Sequence, residues 1–283
     1  MEQKTTSKKF PVLVWVLFVG FALWWLYITL FVRGGTHDSF NNQAFAATYG
    51  VIALLGSIAG LMASRIWGGH KSLIGRALLF FSIGLFAQEF GQIAYSVYLY
   101  ALKVQIPYPS VGDIGYFSSV LFYIYASFQL LKATGARFTL KDRSKKLIAV
   151  ILPLLLLGGS YAFFLRDYHF DFHSLKAVIT VILDFGYPLG QATYIAIALL
   201  TFLLSRSLLG GIMKKKVLFI LVALVAQYAA DFSFLAAAKD NKVFPAGAND
   251  FLYLVSYTLM ALALNSFRIK LGQTSHPSKE ESE

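Results

Sequence analysis

The sequence of 283 residues is 57% hydrophobic and only 14% charged. A soluble globular domain carries about 25% charged residues, so this composition excludes a soluble protein. A net charge of +11 would favour nucleic acid as the partner of a soluble protein, but in a membrane protein it is typical of basic cytoplasmic loops. The absence of cysteine excludes disulfide bonds, thiol catalysis and cysteine-bound metal or haem groups.

Eight apolar runs follow one another along the chain, and each has the roughly 17 residues or more that a helix needs to cross a bilayer. The first run is too long for the apolar region of a signal peptide and no small-x-small cleavage site follows it, so we expect an uncleaved anchor. We predict an all-α, polytopic membrane protein with eight transmembrane helices. The predicted spans are residues 10–32, 45–64, 77–101, 114–131, 147–165, 177–205, 217–238 and 251–267.

The basic residues between these spans are unevenly distributed. With the N-terminus placed inside, 19 of the 25 Lys and Arg residues lie on that side. Because Lys and Arg collect in cytoplasmic loops, we predict a plasma-membrane protein with both termini in the cytoplasm. Anionic headgroups of the lipid bilayer suffice as partners for the basic loops, so no nucleic-acid partner is expected. The six basic residues of the outer segments are Arg33, Lys103, Arg166, Lys176, Lys239 and Lys242.

Three short landmarks recur in the same order in the two parts of the chain, which predicts an internal repeat. The paired landmarks are residues 64–69 and 205–211, 87–88 and 226–227, and 109–116 and 245–253. We therefore predict two four-helix halves, 1–140 and 141–267, followed by a short polar cytoplasmic tail, 268–283. Four spans per half give both halves the same orientation, so the repeats are parallel about a pseudo-twofold axis along the membrane normal.

Five carboxylates lie in the spans or at their outer mouths, and a carboxylate in a span marks a functional site unless it is paired or protonated. Helical spacing groups amide and tyrosine side chains around them, as for Gln227 and Asp231 at i and i+4. This arrangement predicts an outward-facing, acidic, tyrosine-lined pocket for a cation, an amine or a proton. The predicted ligand-binding residues are Glu89, Asp184, Asp231, Gln88, Gln92, Tyr187, Gln227, Asp113 and Asp250.

Structural roles are the alternative for the same acids. Ser110 and Asp113 have the spacing of a capping box at the start of the fourth span, and Asn249 with Asp250 can cap the eighth. The acids inside the spans can instead form hydrogen bonds between helices.

The loop between the fifth and sixth spans alternates aromatic residues with possible metal ligands. The candidate ligands are Asp167, His169, Asp171 and His173, which share one face of an extended segment. An aromatic belt at the membrane interface explains the same residues, so we predict no metal and no cofactor. No phosphate-binding glycine loop, serine nucleophile elbow or zinc-protease helix is present in the sequence.

The stretch from Pro107 to Tyr116 resembles the Pro-x-Pro-Ser-x-x-Asp-x-x-Tyr motif in the N-terminal membrane sensory modules of prokaryotic diguanylate cyclases and sensor kinases. Gly91-Gln92 is similar to a polar element that precedes the motif there, and Tyr187-Pro188 resembles a later Tyr-Pro span. The resemblance implies a sensory module, here without an output domain. A second resemblance, carried by Asp231 to Phe234, is to the eight-span lysoplasmalogenase family, whose histidine-containing span motif is missing here.

The sequence thus predicts a sensory or ligand-binding membrane module. Small helix shifts would pass its signal to a separate cytoplasmic protein. The alternatives are a secondary transporter or proton-coupled carrier and, less favoured, a membrane hydrolase that acts on lipid.

Overall fold

The computed structural model describes residues 2–32, 39–135, 143–205, 211–240 and 242–268, and in these residues every regular element is a helix. The α-helices are α1 Glu2–Tyr27, α2 Phe40–Thr48, α3 Val51–Ile66, α4 Leu73–Ser96, α5 Val111–Ala133, α6 Arg143–Ser160, α7 Leu175–Ser205, α8 Gly211–Lys239 and α9 Ala248–Ser266. One π-helical turn extends each of α1, α4 and α6, at Ile28–Val32, Val97–Ala101 and Tyr161–Leu165.

Within the described residues, seven helical segments are long and apolar enough to cross a membrane, which confirms an all-helical chain of membrane-protein type. α2 and α3 together form one of them, Phe40–Ile66. The predicted eighth span corresponds to α9, which is not among the seven. α9 carries buried polar residues such as Asn249, Ser256 and Asn265, because it packs against other helices and needs few lipid-facing apolar side chains.

The predicted second span, 45–64, is interrupted in the structure. α2 ends at Thr48 and α3 begins at Val51, with Tyr49 and Gly50 in a turn between them. The length and hydropathy of an apolar run do not reveal a turn inside it. The sequence pattern therefore predicted one helix where the structure has two. The other observed helices match the predicted spans and several extend beyond them, since polar first and last turns fall outside an apolar run.

The helices form a bundle in which α4 packs against α5 and α8 packs against α9. α3 lies against both α4 and α9, while α7 lies against both α5 and α8. α1 and α6 are peripheral: only 11% and 6% of their most apolar windows are buried. Their exposed apolar faces have the composition expected for contact with lipid.

Two sets of contacts define opposite ends of the bundle. At one end, Trp67 Nε1 donates a hydrogen bond to the carbonyl oxygen of Phe267 at 2.7 Å, and Lys216 Nζ lies 5.5 Å from the centre of the Phe267 ring. We call this the basic end. At the other end, which we call the acidic end, Trp25 Nε1 donates to the carbonyl oxygen of Ala246 at 3.1 Å and Asn42 Nδ2 to that of Pro245 at 3.0 Å. The ends of α1, α2 and α9 are thereby joined.

Glycine permits the close packing of α4 on α5. A Cβ on Gly115 would lie 2.4 Å from the carbonyl oxygen of Ala87, a backbone atom that cannot move aside. Small residues at such contacts let helices approach closely in a membrane.

Some sequence predictions concern residues outside the described ranges. These are residues 269–283 of the predicted tail, residues 206–210 of the landmark 205–211, and the outer residue Arg33.

Candidate functional site

Amide side chains from α4 and α8 meet at the centre of the bundle. Gln227 Nε2 donates hydrogen bonds to Gln88 Oε1 at 3.4 Å and to Asp231 Oδ1 at 3.0 Å. Gln88 Nε2 in turn donates to Ser119 Oγ at 3.3 Å, and Ser256 Oγ donates to Gln227 Oε1. These residues form one buried network, which we call the central network.

Asp231 ends the central network as a carboxylate with three hydrogen-bond donors. Tyr194 OH donates to its Oδ2 at 2.7 Å, and Tyr253 OH donates to its Oδ1 at 2.9 Å alongside Gln227. Asp231 is 5% exposed. Three donors offset much of the free energy lost when a carboxylate leaves water.

A second group lies beside the turn between α2 and α3. Gln92 Oε1 accepts hydrogen bonds from Tyr49 OH at 3.3 Å and from Tyr116 OH at 3.2 Å, and Gln92 Nε2 donates to the carbonyl oxygen of Ala46. Tyr49 OH is also 3.4 Å from Asp250 Oδ1. This group therefore connects α2, α4, α5 and α9.

Asp113 and Asp250 both bind backbone at the start of a helix. Asp113 Oδ2 accepts from the backbone N–H of Ser110 at 2.8 Å, and Tyr187 OH donates to Asp113 Oδ1 at 2.9 Å. The predicted capping box at Ser110 is confirmed. Asp250 Oδ2 accepts the backbone N–H of Ala246 at 2.8 Å.

The predicted capping role of Asn249 is wrong. Its Oδ1 accepts a hydrogen bond from Ser233 Oγ at 2.7 Å, and the N-cap residue of α9 is Gly247. Asn249 therefore links α9 to α8 instead of ending a helix.

Asp184 lies in a separate, more exposed group. Tyr108 OH donates to its Oδ1 at 2.6 Å and Tyr168 OH to its Oδ2 at 2.8 Å. Burial, and after it the hydrogen bond to Asp184, raises the pKa of Tyr168 to about 12 and raises the pKa of Tyr108 further. Asp184, predicted to share a pocket with Glu89 and Asp231, is thus hydrogen-bonded to these two tyrosines and to none of the central-network residues in the described part of the chain.

Glu89 differs from the four aspartates. It is 7% exposed, and its Oε2 is a buried atom with no hydrogen-bond partner among the described residues. The oxygen lies against the bare face of Gly50, where a Cβ would come within 2.0 Å of it. A buried carboxylate oxygen without a donor is uncommon and marks a candidate binding group.

Several hydrogen bonds occur twice, at corresponding residues of the two parts of the chain. Tyr116 donates to Gln92 as Tyr253 donates to Asp231. Tyr187 and Asp113 are paired in the same way as Tyr49 and Asp250. The corresponding residues, 137 to 139 positions apart, are Gln88 and Gln227, Gln92 and Asp231, Tyr116 and Tyr253, Ser119 and Ser256, Asp113 and Asp250, and Tyr49 and Tyr187.

The loop with the candidate metal ligands contains no metal-binding group of three His, Asp or Glu within the ranges that the structure covers. Asp171 Oδ1 accepts the backbone N–H of His173 at 2.9 Å, which closes a local turn. Asp167 and His169 instead line a cavity of about 250 Å³ with Arg166, Tyr168 and Lys239 at the acidic end.

Tyrosines are the site residues that the sequence pattern missed. Tyr49, Tyr194 and Tyr253 each donate to a predicted acid or amide, yet a single tyrosine in an apolar run has no distinctive spacing. The predicted repeat is the signal that could have found Tyr49 and Tyr253, because Tyr187 and Tyr116 stand at the corresponding positions. Comparison of the chain with protein-family models, with curated proteins and with solved structures found no match in any of the three.

Proposed function

We propose that this protein is a sensory or ligand-binding membrane module that recognises a small cationic ligand at its acidic end and signals to a separate cytoplasmic protein. The observation that carries the proposal is the hydrogen bond between Gln227 and Gln88. It joins the two parts of the chain through a buried polar network that includes Asp231. A ligand that changed either side of this contact would shift one set of helices relative to the other.

The proposal includes eight membrane spans in two parallel four-helix repeats. It is supported by the hydrogen bonds that recur at corresponding residues and by the packing of α3 on α9 and of α7 on α5, which are equivalent pairs under the repeat. The α9 helix is the eighth span in this proposal. Ala246 precedes it at the acidic end, and Phe267 follows it at the basic end.

We also propose that the basic end faces the cytoplasm of a cell whose plasma membrane holds the protein. The exposed residues Lys71, Lys214 and Lys215 belong to that end, which suits anionic lipid headgroups and an acidic partner surface. The acidic groups at the opposite end would then meet the outer medium, where a cationic ligand is attracted.

Thermal unfolding of the purified protein against a panel of metal cations, organic amines and lipids tests this proposal. A ligand that binds only the folded protein raises the melting temperature, by about 5 °C at about 100 times its dissociation constant. We expect at least one cationic compound to give such a rise and Asp231→Asn to lose it. Asp240→Asn makes the same chemical change at an exposed acid and should keep the full rise.

Two results would contradict the sensory proposal. No rise with any compound, or an equal rise in wild type and Asp231→Asn, argues against a ligand site in the central network. Uptake of the stabilising compound into proteoliposomes would favour the transporter alternative, which the intramembrane acids and the parallel halves also suit. Turnover of lipid, lost in Asp231→Asn, would favour the hydrolase.

A further inference from the structure

The cavity of about 250 Å³ beside Arg166 and Lys239 brings two positive charges together at the acidic end. Arg166 directly follows the candidate span Arg143–Leu165, and Lys239 is the last residue of the candidate span Met213–Lys239. Basic residues at the ends of membrane spans lie at the depth of the lipid headgroups. The cavity therefore lies where the phosphate groups of a bilayer are found.

Both cations have donors to offer a ligand. Arg166 is exposed and forms no ion pair within the described residues. Lys239 Nζ donates to the carbonyl oxygen of Phe163 at 2.8 Å, which holds the ammonium group at the cavity wall and leaves its other N–H groups available. Arginine and lysine are the side chains that bind phosphate, and the guanidinium group can donate two hydrogen bonds to it at once.

The remaining charge in the lining suits a lipid headgroup better than a bare phosphate ion. Asp167 also lines the cavity, where its carboxylate would repel an anion but accepts hydrogen bonds. The two cations and this one carboxylate together leave one positive charge. A phosphatidylglycerol headgroup matches the set, because its phosphate diester carries one negative charge and its hydroxyl groups can donate to Asp167.

The surroundings of the cavity suit the acyl chains of such a lipid. The span that contains α6 leads to the cavity, and only 6% of its most apolar window is buried. Leu154 and Leu155, earlier on that span, are exposed. The rings of Phe163 and Phe164 each lie 5.2 Å from the ring of Phe232 on α8. A lipid held by its headgroup in the cavity would lay its chains along the apolar face of α6.

We propose that this cavity binds the headgroup of an anionic phospholipid, with Arg166 and Lys239 on the phosphate and Asp167 on the headgroup hydroxyls. Basic pockets between membrane helices bind lipid headgroups in this way. No residue of the lining belongs to the central network, and the ligand is opposite in charge to that of the proposed function. The bound lipid would reinforce the contact between the end of α6 and the end of α8 that Phe163 and Lys239 make.

Native mass spectrometry and thermal unfolding of the detergent-purified protein test this site. We expect short-chain phosphatidylglycerol to stay bound in the mass spectrum and to raise the melting temperature by about 5 °C at about 100 times its dissociation constant. Arg166→Gln should bind the lipid about tenfold more weakly, because it loses charged hydrogen bonds to the phosphate. Lys176→Gln removes an exposed positive charge at the same end but outside the cavity, and should bind it as wild type does.

Two further comparisons separate a lost ligand contact from a folding defect. Because Arg166 has no ion pair in the part of the chain that the structure describes, Arg166→Gln should unfold at the wild-type temperature when no lipid is added. Arg166→Lys, which keeps the positive charge, should bind phosphatidylglycerol more tightly than Arg166→Gln does.

Several outcomes would overturn the inference. Equal binding of phosphatidylglycerol by wild type and Arg166→Gln, or no binding at all, would show that the cavity is not a lipid site. An equal rise with short-chain phosphatidylcholine, which has no net charge and no headgroup hydroxyl, would show that the headgroup is not recognised. An equal rise with inorganic phosphate would assign the cavity to the free ion. A cationic ligand that acts through Asp231 would leave these results unchanged, so the proposed function is tested separately.

Discussion

Tyr194 and Tyr253 donate hydrogen bonds to Asp231, while Tyr108 and Tyr168 donate to Asp184. Neutral hydroxyl groups thus accompany acids that a soluble protein would pair with Lys or Arg. A phenol can donate a hydrogen bond without bringing a second charge into the membrane. It therefore lowers the free energy of the buried acid without the cost of removing a second charged group from water. Glu89 stands apart because no hydroxyl group of the described residues donates to its Oε2.

The group at Asp184 has a measurable pH dependence. Burial and the hydrogen bond to Asp184 raise the pKa of Tyr168 to about 12, above the ordinary value of about 10 for tyrosine. The folded protein holds this proton at a pH where the unfolded chain loses it. The stability that this pair contributes is therefore complete below about pH 10 and is lost as the pH rises through about 12.

Asp184→Asn should lower the pKa of Tyr168, because the asparagine lacks the charge that holds the phenol proton. Ultraviolet titration of phenolate formation measures this, and subtraction of a Tyr168→Phe spectrum isolates the one residue from the other tyrosines. An unchanged midpoint for Tyr168 in Asp184→Asn would show that the hydrogen bond is absent in the folded protein.

At the residue level, sequence spacing predicted a contact within one helix but did not predict which residues of other segments an acid contacts. Gln227 and Asp231, four residues apart on α8, do bind each other as the helical spacing indicates. Asp184 was placed in the same pocket but binds Tyr108 and Tyr168. One sequence fixes which residues share a helix face, but not which face of a neighbouring helix it meets.

Among the elements, the interrupted second span shows that hydropathy predicts the length of a span but not a turn within it. Tyr49 and Gly50 continue an apolar run, yet they form a turn between α2 and α3 while keeping right-handed helical backbone angles. The turn brings Gly50 against Glu89 and Tyr49 against Asp250. The existence and approximate length of the long helices could be predicted, because the bilayer sets both; this break depends on tertiary contacts.

The contact between α4 and α5 should be the most sensitive to an added methyl group. Gly115→Ala places Cβ 2.4 Å from the Ala87 carbonyl oxygen, so the helices must separate, and we expect a loss of about 2 kcal/mol in stability. Gly159→Ala on the peripheral α6 is the matched control, since no atom lies within 4 Å of its Cβ. That control should be neutral or stabilising by up to about 1 kcal/mol.

Reversible unfolding in mixed detergent micelles measures both variants of this pair. Equal stability of Gly115→Ala and Gly159→Ala would mean that α4 and α5 do not approach as closely as the structure describes.

For the whole molecule, the two ends differ in charge and in chemistry. Carboxylates and tyrosines lie from the bundle centre towards the acidic end, whereas Lys71, Lys214 and Lys215 are exposed at the other. If α2 and α3 count as one crossing, successive helices from α1 to α9 run in alternate directions. Successive loops then lie at alternate ends of the bundle, as the separation of charge requires. Under the proposed function, a ligand and a cytoplasmic partner would act at opposite ends of one bundle.

Cysteine labelling tests that arrangement directly, because the chain contains no cysteine of its own. Single variants Gln105→Cys and Lys242→Cys place thiols at exposed positions of the acidic end, and Lys71→Cys and Lys214→Cys do so at the basic end. A membrane-impermeant maleimide added to intact cells should label the first pair, since the proposed orientation places the basic end, with its Lys and Arg residues, in the cytoplasm. The second pair should react only after permeabilisation. Labelling of all four from outside would rule out the alternating spans, and labelling of only the basic pair would reverse the orientation, so that the acidic site would respond to a cytoplasmic ligand.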